Sequence, residues 1–196
     1  MATGGTKGLR ASEINDILDR VLEERKVNFL GVFARDQVPQ ITTHTRFPAC
    51  LVVNSAPASH GGEHWLALYF LDSTHCEFFD SYAFNPGFYG LSDYLSNFTI
   101  TAKVDHPLQS IKSTVFGHYC IHYLYIRALG YPLSTVLRSF TLSDQEWNDR
   151  HVSDFVTNNL RLSRTLMQTS ACTCPTACCI SRTALLCKCI LCNRHP

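Results

Sequence analysis

A histidine and an aspartate lie at the ends of two neighbouring runs of strand-forming residues. His64 opens one run directly after Gly61, Gly62 and Glu63, and Asp80 lies at the end of the next run. An antiparallel hairpin can bring two such positions side by side. A carboxylate at that distance orients an imidazole and stabilises its protonated form. The pair is therefore a candidate for a general base and its orienting acid, although most histidines beside an aspartate at a strand edge are structural.

A glutamine and a cysteine come next along the chain. Gln109 precedes Gly117-His118-Tyr119-Cys120, which begins a long apolar segment. The positive partial charge at a helix N-terminus lowers the pKa of a thiol in the first turn. A nearby glutamine side chain can donate a hydrogen bond to a developing oxyanion. These residue types are those that nucleophilic catalysis by a thiol requires.

Apolar patterning predicts the first elements that must position these residues. Residues 12–25 carry apolar side chains at three- and four-residue spacing, which indicates an amphipathic helix that packs by that stripe. Three runs rich in β-branched and aromatic residues then predict a central sheet, with the last two runs forming a tight hairpin after the loop 56–62. These runs are 49–56, 64–72 and 75–82.

Helical patterns predominate in the second half. Residues 88–98 repeat with a helical period, and Ser113 is a candidate cap for a buried helix that reaches Leu129 and ends at Gly130 and Pro132. A last helix is predicted to start at the capping box 143–146. It should carry these residues towards the core: Trp147, Val152, Phe155 and Val156.

Length and composition favour one soluble domain. The chain has 196 residues, of which 17% are charged and 11% aromatic, enough for one sizeable core. No apolar run approaches the roughly 18 residues of a membrane span, and residues 1–10 lack the apolar centre of a secretory signal. We therefore expect an intracellular, soluble protein, in the nucleus or cytoplasm, with no membrane partner.

Cysteine and charge set the last part of the chain apart. Seven of the ten cysteines lie after residue 170. Residues 161–196 carry five of the 17 basic residues and none of the 16 acidic ones, which leaves 12 basic against 16 acidic residues and a formal charge of −4 for residues 1–160. The body is therefore a poor candidate for binding nucleic acid by charge, whereas the tail could bind acids non-specifically.

The tail permits two interpretations. Its C-x-C pairs and its C-x-x-H ending at His195 are compatible with zinc, but the spacings match no common zinc finger. An unstructured extension is the favoured interpretation. We accordingly divide the chain into a flexible N-terminus (1–11), one domain (12–160) and a Cys-rich, unstructured tail (161–196), and we expect no metal and no cofactor.

Taken together and in this order, GGEHWLALYF (61–70), EFFDSYAFNP (77–86) and LQSIKSTVFGHYC (108–120) resemble the adenovirus maturation protease (adenain) family. The resemblance is greatest to its relatives in Maverick/Polinton transposable elements, to whose N-terminal part FLGVFARD (29–36) is also similar. It covers about residues 12–160. It implies an α+β cysteine peptidase fold with a mixed central sheet between helices. By the same resemblance, His64 matches the general base, Trp65 its neighbour, Asp80 the acid and Gln109 the oxyanion donor.

The nucleophile departs from the family pattern S-x-x-C-G-x-Y-C. Phe116 stands in the position of the catalytic cysteine, seven residues after Gln109. A benzyl group can neither ionise nor form an acyl-enzyme. The resemblance thus implies a thiol protease of viral maturation, acting on viral or transposon structural precursors with a possible activating peptide, in a copy that is inactive or impaired.

Two alternatives remain open. The chain is a pseudoenzyme that binds an extended peptide or a ubiquitin-like protein without cleaving it, or it is an active peptidase that uses Cys120. Cys120 lies one helical turn beyond position 116, about 6 Å along the axis, whereas a base must come within roughly 3 Å of the proton it takes. A small core residue is the favoured interpretation of Cys120. His118 and His122, four residues apart on this helix, would form a metal pair only if further ligands converged on them.

Overall fold

The computed structural model describes residues 7–161, without the side chains of residues 159 and 161. Five helices and five strands make up most of this segment. They are α1 (Ala11–Leu22), β1 (Asn28–Ala34), β2 (Ala49–Asn54), β3 (Trp65–Phe70), β4 (His75–Phe79), α2 (Ser92–Leu95), β5 (Thr99–Lys103), α3 (Phe116–Ala128), α4 (Leu133–Leu137) and α5 (Gln145–Asp154). Short 3-10 turns at Arg35–Gln37 and Pro86–Tyr89 and a π-helical segment at Phe155–Arg161 complete it.

The five strands form one mixed sheet in the order β1-β2-β3-β4-β5. The outer pairs β1–β2 and β4–β5 are parallel, and the inner pairs are antiparallel. The predicted α+β class with a mixed sheet and helices is thereby confirmed. Within residues 7–161 there is no helix of the length and apolarity that crossing a membrane requires.

Both faces of the three inner strands, β2, β3 and β4, are buried. Along β2, Cys50 and Val52 contribute to the core beneath α1, α3 and α5, whereas Leu51 and Val53 contribute to a second core that includes Leu91 and Leu95. Such two-sided burial explains why the strand sequences are continuous apolar runs rather than alternating ones. The predicted hairpin is present as β3 and β4, which pair from Ala67 with Phe79 to Phe70 with Cys76.

Helix α3 lies at the centre of the larger core. Every residue from Gly117 to Arg127 is buried, as the apolar sequence predicts. Helix α1 packs across the start of α3 with its apolar stripe, in which Ile14 and Leu18 are fully buried. The contact is close because Gly117 has no side chain: a Cβ atom there would lie 2.7 Å from Ile14 Cδ1 and 3.3 Å from Leu9 Cβ.

Substitution Gly117→Ala should destabilise the domain. The added methyl group would have to displace Ile14, which is fully buried, and overpacking of this kind costs about 1–3 kcal/mol. Urea unfolding followed by circular dichroism measures the change. Gly61→Ala is the matched control, because nothing lies within 4 Å of a Cβ atom at that position. Equal stability of the two variants would contradict this account of α1 packing on α3.

Three predictions in the second half of the domain need correction. The helical period over 88–98 does not form one helix, because Gly90 adopts a left-handed conformation with φ of 69° that ends the turn Pro86–Tyr89 before α2 begins. Strand β5, which follows α2, lies outside every predicted element. Ser113 does not cap α3, whose N-cap is Val115. Trp147 is 42% exposed and does not point into the core. The predicted start of α5 is close to the observed one, because Asp144 caps the helix by accepting from the Trp147 backbone N–H (2.8 Å).

The packed part of the domain begins earlier than residue 12. Leu9 is buried, and its carbonyl accepts a hydrogen bond of 3.1 Å from the Trp65 indole N–H. Helix α1 then begins at Ala11 and ends at Leu22, three residues short of the prediction. The interpretations of residues 1–6 as flexible and of the Cys-rich tail as unstructured or zinc-binding concern parts of the chain outside the described residues.

Candidate active site

The hairpin brings His64 and Asp80 into direct contact. His64 immediately precedes β3, and its carbonyl accepts a hydrogen bond from Ser55 N–H (2.9 Å), which continues the β2–β3 pairing. Asp80 immediately follows β4. The His64 Nε2 and Asp80 Oδ1 atoms are 2.7 Å apart, and the two residues are only 6% and 1% exposed. The distance is that of a strong, buried hydrogen bond.

Asp80 is held by three further donors. The backbone N–H of Tyr82 donates to Oδ1 (3.0 Å), and the backbone N–H of Phe84 donates to Oδ2 (2.8 Å). The Tyr89 hydroxyl also donates to Oδ2 (2.8 Å). Burial raises the pKa of Tyr89, so this hydroxyl stays protonated and remains a donor. Four donors thus fix the position of both carboxyl oxygens of Asp80.

The contact with Asp80 fixes the role of each imidazole nitrogen. A carboxylate only accepts hydrogen bonds, so we assign the proton to Nε2 of His64. In the neutral ring this leaves a lone pair on Nδ1. That atom is buried and has no hydrogen-bond partner among the described residues. An unpartnered nitrogen next to an oriented acid is the arrangement expected of a general base whose proton donor is missing.

An aromatic ring lies against this imidazole. Phe116 is the first residue of α3, and its ring centroid is 4.6 Å from that of His64, in an edge-to-face arrangement with an interplanar angle of 80°. Tyr82 stacks on His64 from another side, with centroids 5.0 Å apart. The first N–H groups of a helix have no partner within the helix. Phe116 thus lies beside His64 at the positive end of α3, an environment that would lower the pKa of a thiol.

Gln109 is anchored between the Asp80 turn and the start of α3. Its Oε1 atom accepts from the Ser81 hydroxyl (2.7 Å), and its Nε2 atom donates to the Ser113 carbonyl (3.1 Å). The backbone N–H groups of Leu108 and Gln109 both donate to the Ser81 carbonyl. These contacts orient the amide and leave Nε2 with a second hydrogen to donate.

Cys120 has a different environment. It is 1% exposed, one turn into α3 from Phe116. Burial, and secondarily the Asp80 carboxylate, raise the pKa of the Cys120 thiol well above its ordinary value. The thiolate is the nucleophilic form of cysteine, so this environment suppresses it. The small-core-residue interpretation of Cys120 agrees with this burial.

His118 and His122 are both buried in α3. The His122 ring packs against Phe140 and Phe155, and its centroid is 5.5 Å from that of the His151 ring on α5. Within residues 7–161 no three or more histidine, cysteine or acidic residues converge as metal ligands.

Three contributors to the site were not singled out from the sequence. Ser81 holds Gln109, Tyr82 stacks on the imidazole, and Tyr89 binds Asp80. All three follow Asp80 within ten residues. Ser81 and Tyr82 lie in a tight turn in which Ala83 has a φ of 62°, and Tyr89 ends the 3-10 turn Pro86–Tyr89. Neither turn has a distinctive sequence signature.

A comparison with protein-family models and with curated proteins found no match to this chain.

Proposed function

We propose that the chain is an adenain-like cysteine peptidase domain that has lost its nucleophile and, with it, peptide-bond hydrolysis. The observation that carries the proposal is the contact of Phe116 with His64 at the first residue of α3. A cysteine peptidase needs a base, an orienting acid, an oxyanion donor and a thiol at this junction. His64, Asp80 and Gln109 supply the first three.

The resemblance supplies the biological context of this proposal. Members of the family cleave structural precursors during particle assembly, and some need an activating peptide. We propose that the partner of this chain is a polypeptide of the same class, and that the chain binds this polypeptide without cleaving it. Loss of a triad nucleophile lowers turnover by about 10⁶ in comparable enzymes, so the partner would be retained rather than cut.

The second candidate function is polypeptide binding without catalysis, and a separate observation supports it. The oriented Gln109 amide, whose Nε2 atom retains a second hydrogen, is a donor suited to a backbone carbonyl. This donor does not depend on the missing sulfur. A domain that holds an extended peptide or a ubiquitin-like C-terminus therefore remains compatible with the site.

Assay of the purified full-length chain tests the loss of hydrolysis. We expect no cleavage of a quenched-fluorescent peptide library above the buffer rate, and no change on Cys120→Ala. The reason is that the Cys120 thiol is buried and has a raised pKa. If the unaltered chain hydrolyses peptides and Cys120→Ala abolishes this activity, the proposal is contradicted. That result would support the remaining alternative, catalysis through Cys120.

A further inference from the structure

Helix α5 holds the backbone directly before Gln109. The Asn148 side-chain N–H donates to the Leu108 carbonyl (2.9 Å), and the Gln145 side-chain N–H donates to the Pro107 carbonyl (3.2 Å). Asn148 is fully buried. Residues three apart on a helix lie on the same face, so one face of α5 makes both contacts. The peptide groups that lead into Gln109 are therefore fixed by α5.

Asp149, the next residue of α5, holds the backbone after Gln109. Its carboxylate accepts hydrogen bonds from the Ser110 backbone N–H and from the Ser113 hydroxyl. The Tyr119 hydroxyl of α3 also donates to Asp149 Oδ1 (3.0 Å). Burial raises the pKa of Tyr119, so this hydroxyl stays protonated and remains a donor. One carboxylate thus connects α5 to α3 and to the loop between Gln109 and α3.

The Ser113 contact bears directly on the Gln109 amide. Gln109 Nε2 donates to the Ser113 carbonyl (3.1 Å), and Ser113 N–H donates to the Ser110 carbonyl (3.0 Å), which closes a turn. Asp149 binds the first and last residues of this turn. At the other end of the amide, Oε1 accepts from the Ser81 hydroxyl (2.7 Å). The direction of Nε2 therefore depends on a carbonyl whose position Asp149 sets.

We infer that Asp149 is a positioning residue that sets the orientation of the Gln109 amide through Ser113. The inference rests on the proposed function for the role of Gln109 as oxyanion donor, and it adds the residue that directs this donor. Asp149 contacts Ser110, Ser113 and Tyr119, so it acts through them. A misplacement of about 1 Å caused by a change away from the reacting atoms can cost about 10²-fold in rate.

Nuclear magnetic resonance of the isotope-labelled full-length chain tests the orientation without any catalysis. The side-chain amide of Gln109 is assigned by its loss in Gln109→Glu. In Asp149→Ala we expect its two Nε2 hydrogens to shift towards the positions of a solvent-exposed glutamine. Their exchange with solvent should become on the order of tenfold faster, as expected for loss of one hydrogen bond.

Two variants control for charge and for the hydrogen bonds themselves. Asp149→Asn should keep the Gln109 resonances near their original positions, because its amide oxygen still accepts from Ser110 N–H and its Nδ2 can donate to the Ser113 hydroxyl. Glu146→Ala is the matched control, because it removes the same charge from an exposed position on the same helix. It should leave the resonances unchanged.

Kinetics in a chain that carries Phe116→Cys test the consequence for catalysis. Adding Asp149→Ala should lower kcat by up to about 10²-fold and leave KM within about twofold, because the amide donates to a charge present only in the transition state. Asp149→Asn should restore kcat. Alkylation of the thiol at position 116 forms no oxyanion, so its rate should be the same with and without Asp149→Ala.

The other results overturn the inference. Unchanged Gln109 resonances in Asp149→Ala would do so, as would an equal shift in Glu146→Ala. If Asp149→Ala does not fold, Ser113→Ala replaces it and should shift the same resonances by a smaller amount, and no shift would again contradict the inference. Parallel losses of alkylation and hydrolysis would mean that Asp149 supports the whole fold rather than Gln109.

The proposed function is judged separately, by the reactivity and hydrolysis of the Phe116→Cys chain. If that chain is inactive, the proposed function fails and the Gln109 resonances alone decide on Asp149. Either proposal can therefore fail without the other.

Discussion

A Phe116→Cys variant should gain endopeptidase activity that the unaltered chain lacks. Residue 116 would place a thiol beside the unpartnered Nδ1 of His64 and at the N-terminus of α3. Both features favour the thiolate, so we expect its pKa to lie below the value of about 8.5 for a free cysteine. Because a missing nucleophile costs on the order of 10⁶ in turnover, the gain should carry hydrolysis from undetectable to readily measurable.

The proposed function assigns each remaining group a step in the hydrolysis that this variant would catalyse. Nδ1 of His64 takes the proton of the thiol, and the sulfur attacks the peptide carbonyl carbon to form a tetrahedral oxyanion. The second Nε2 hydrogen of Gln109 and the N–H of residue 116 donate to that oxyanion. Nδ1 returns the proton to the departing amine, which leaves an acyl-enzyme that water hydrolyses with His64 again as the base.

Alkylation by iodoacetamide, mapped to residue 116 by peptide mass spectrometry, reports the thiolate directly. Mapping is needed because the chain has ten other cysteines. The matched control combines Phe116→Cys with His64→Ala and should show slower alkylation near neutral pH and no hydrolysis. Phe116→Ser controls for removal of the ring alone. A cysteine at 116 that alkylates with the pH profile of a free thiol and cleaves nothing would contradict the proposed function.

The persistence of the His64–Asp80 pair does not by itself require catalysis. Asp80 accepts from the backbone N–H groups of Tyr82 and Phe84 and from Tyr89, so it organises the turn that follows β4. Its removal would leave buried donors unpaired, at a cost of about 1–3 kcal/mol for each. Asp80 therefore stabilises the fold whether or not the domain cleaves peptides, and its presence does not depend on a cysteine at position 116.

Contacts between residues close together in the sequence could be predicted, whereas contacts between residues far apart in the sequence could not. The His64–Asp80 contact follows from local rules, because a short connection between two strand-forming runs allows only an antiparallel hairpin. The burial of α3 and its end before Gly130 also follow from composition and spacing alone. These features were predicted at the correct residues or within a few of them.

The contacts that orient Gln109 and that place Tyr82 against Phe116 could not be predicted from the sequence, for a physical reason. Ser81 reaches Gln109 across 28 residues, and Tyr82 meets Phe116 across 34, so neither pair leaves a periodic signal. Within residues 88–98 the helical period was real, but one left-handed residue at Gly90 outweighed it. Local conformational limits of this kind decide element ends more strongly than apolar spacing does.

Acid should destabilise the domain through His122. Its imidazole is fully buried against Phe140 and Phe155, and neither ring nitrogen has a hydrogen-bond partner among the described residues. Burial, together with the neighbouring His151, lowers the pKa of His122 from 6.5 to about 3. Burial also lowers the pKa of His151, which Asp154 partly offsets. The folded state thus keeps His122 neutral where the unfolded chain would protonate it.

The direction of the effect follows from these values. Above pH 6.5 both states leave His122 neutral and stability is unaffected. As the pH falls from 6.5 towards 3, only the unfolded state gains the proton, so the free energy of unfolding should fall by up to about 1.4 kcal/mol per pH unit from this residue. Urea unfolding at pH 7, 6, 5 and 4 measures that slope. His122→Phe and His122→Leu should both flatten it, whereas His44→Ala, at an exposed position, should not. An unchanged slope in both His122 variants would mean that protonation of other groups drives the acid sensitivity, and that the contact between α3 and α5 tolerates a charged His122.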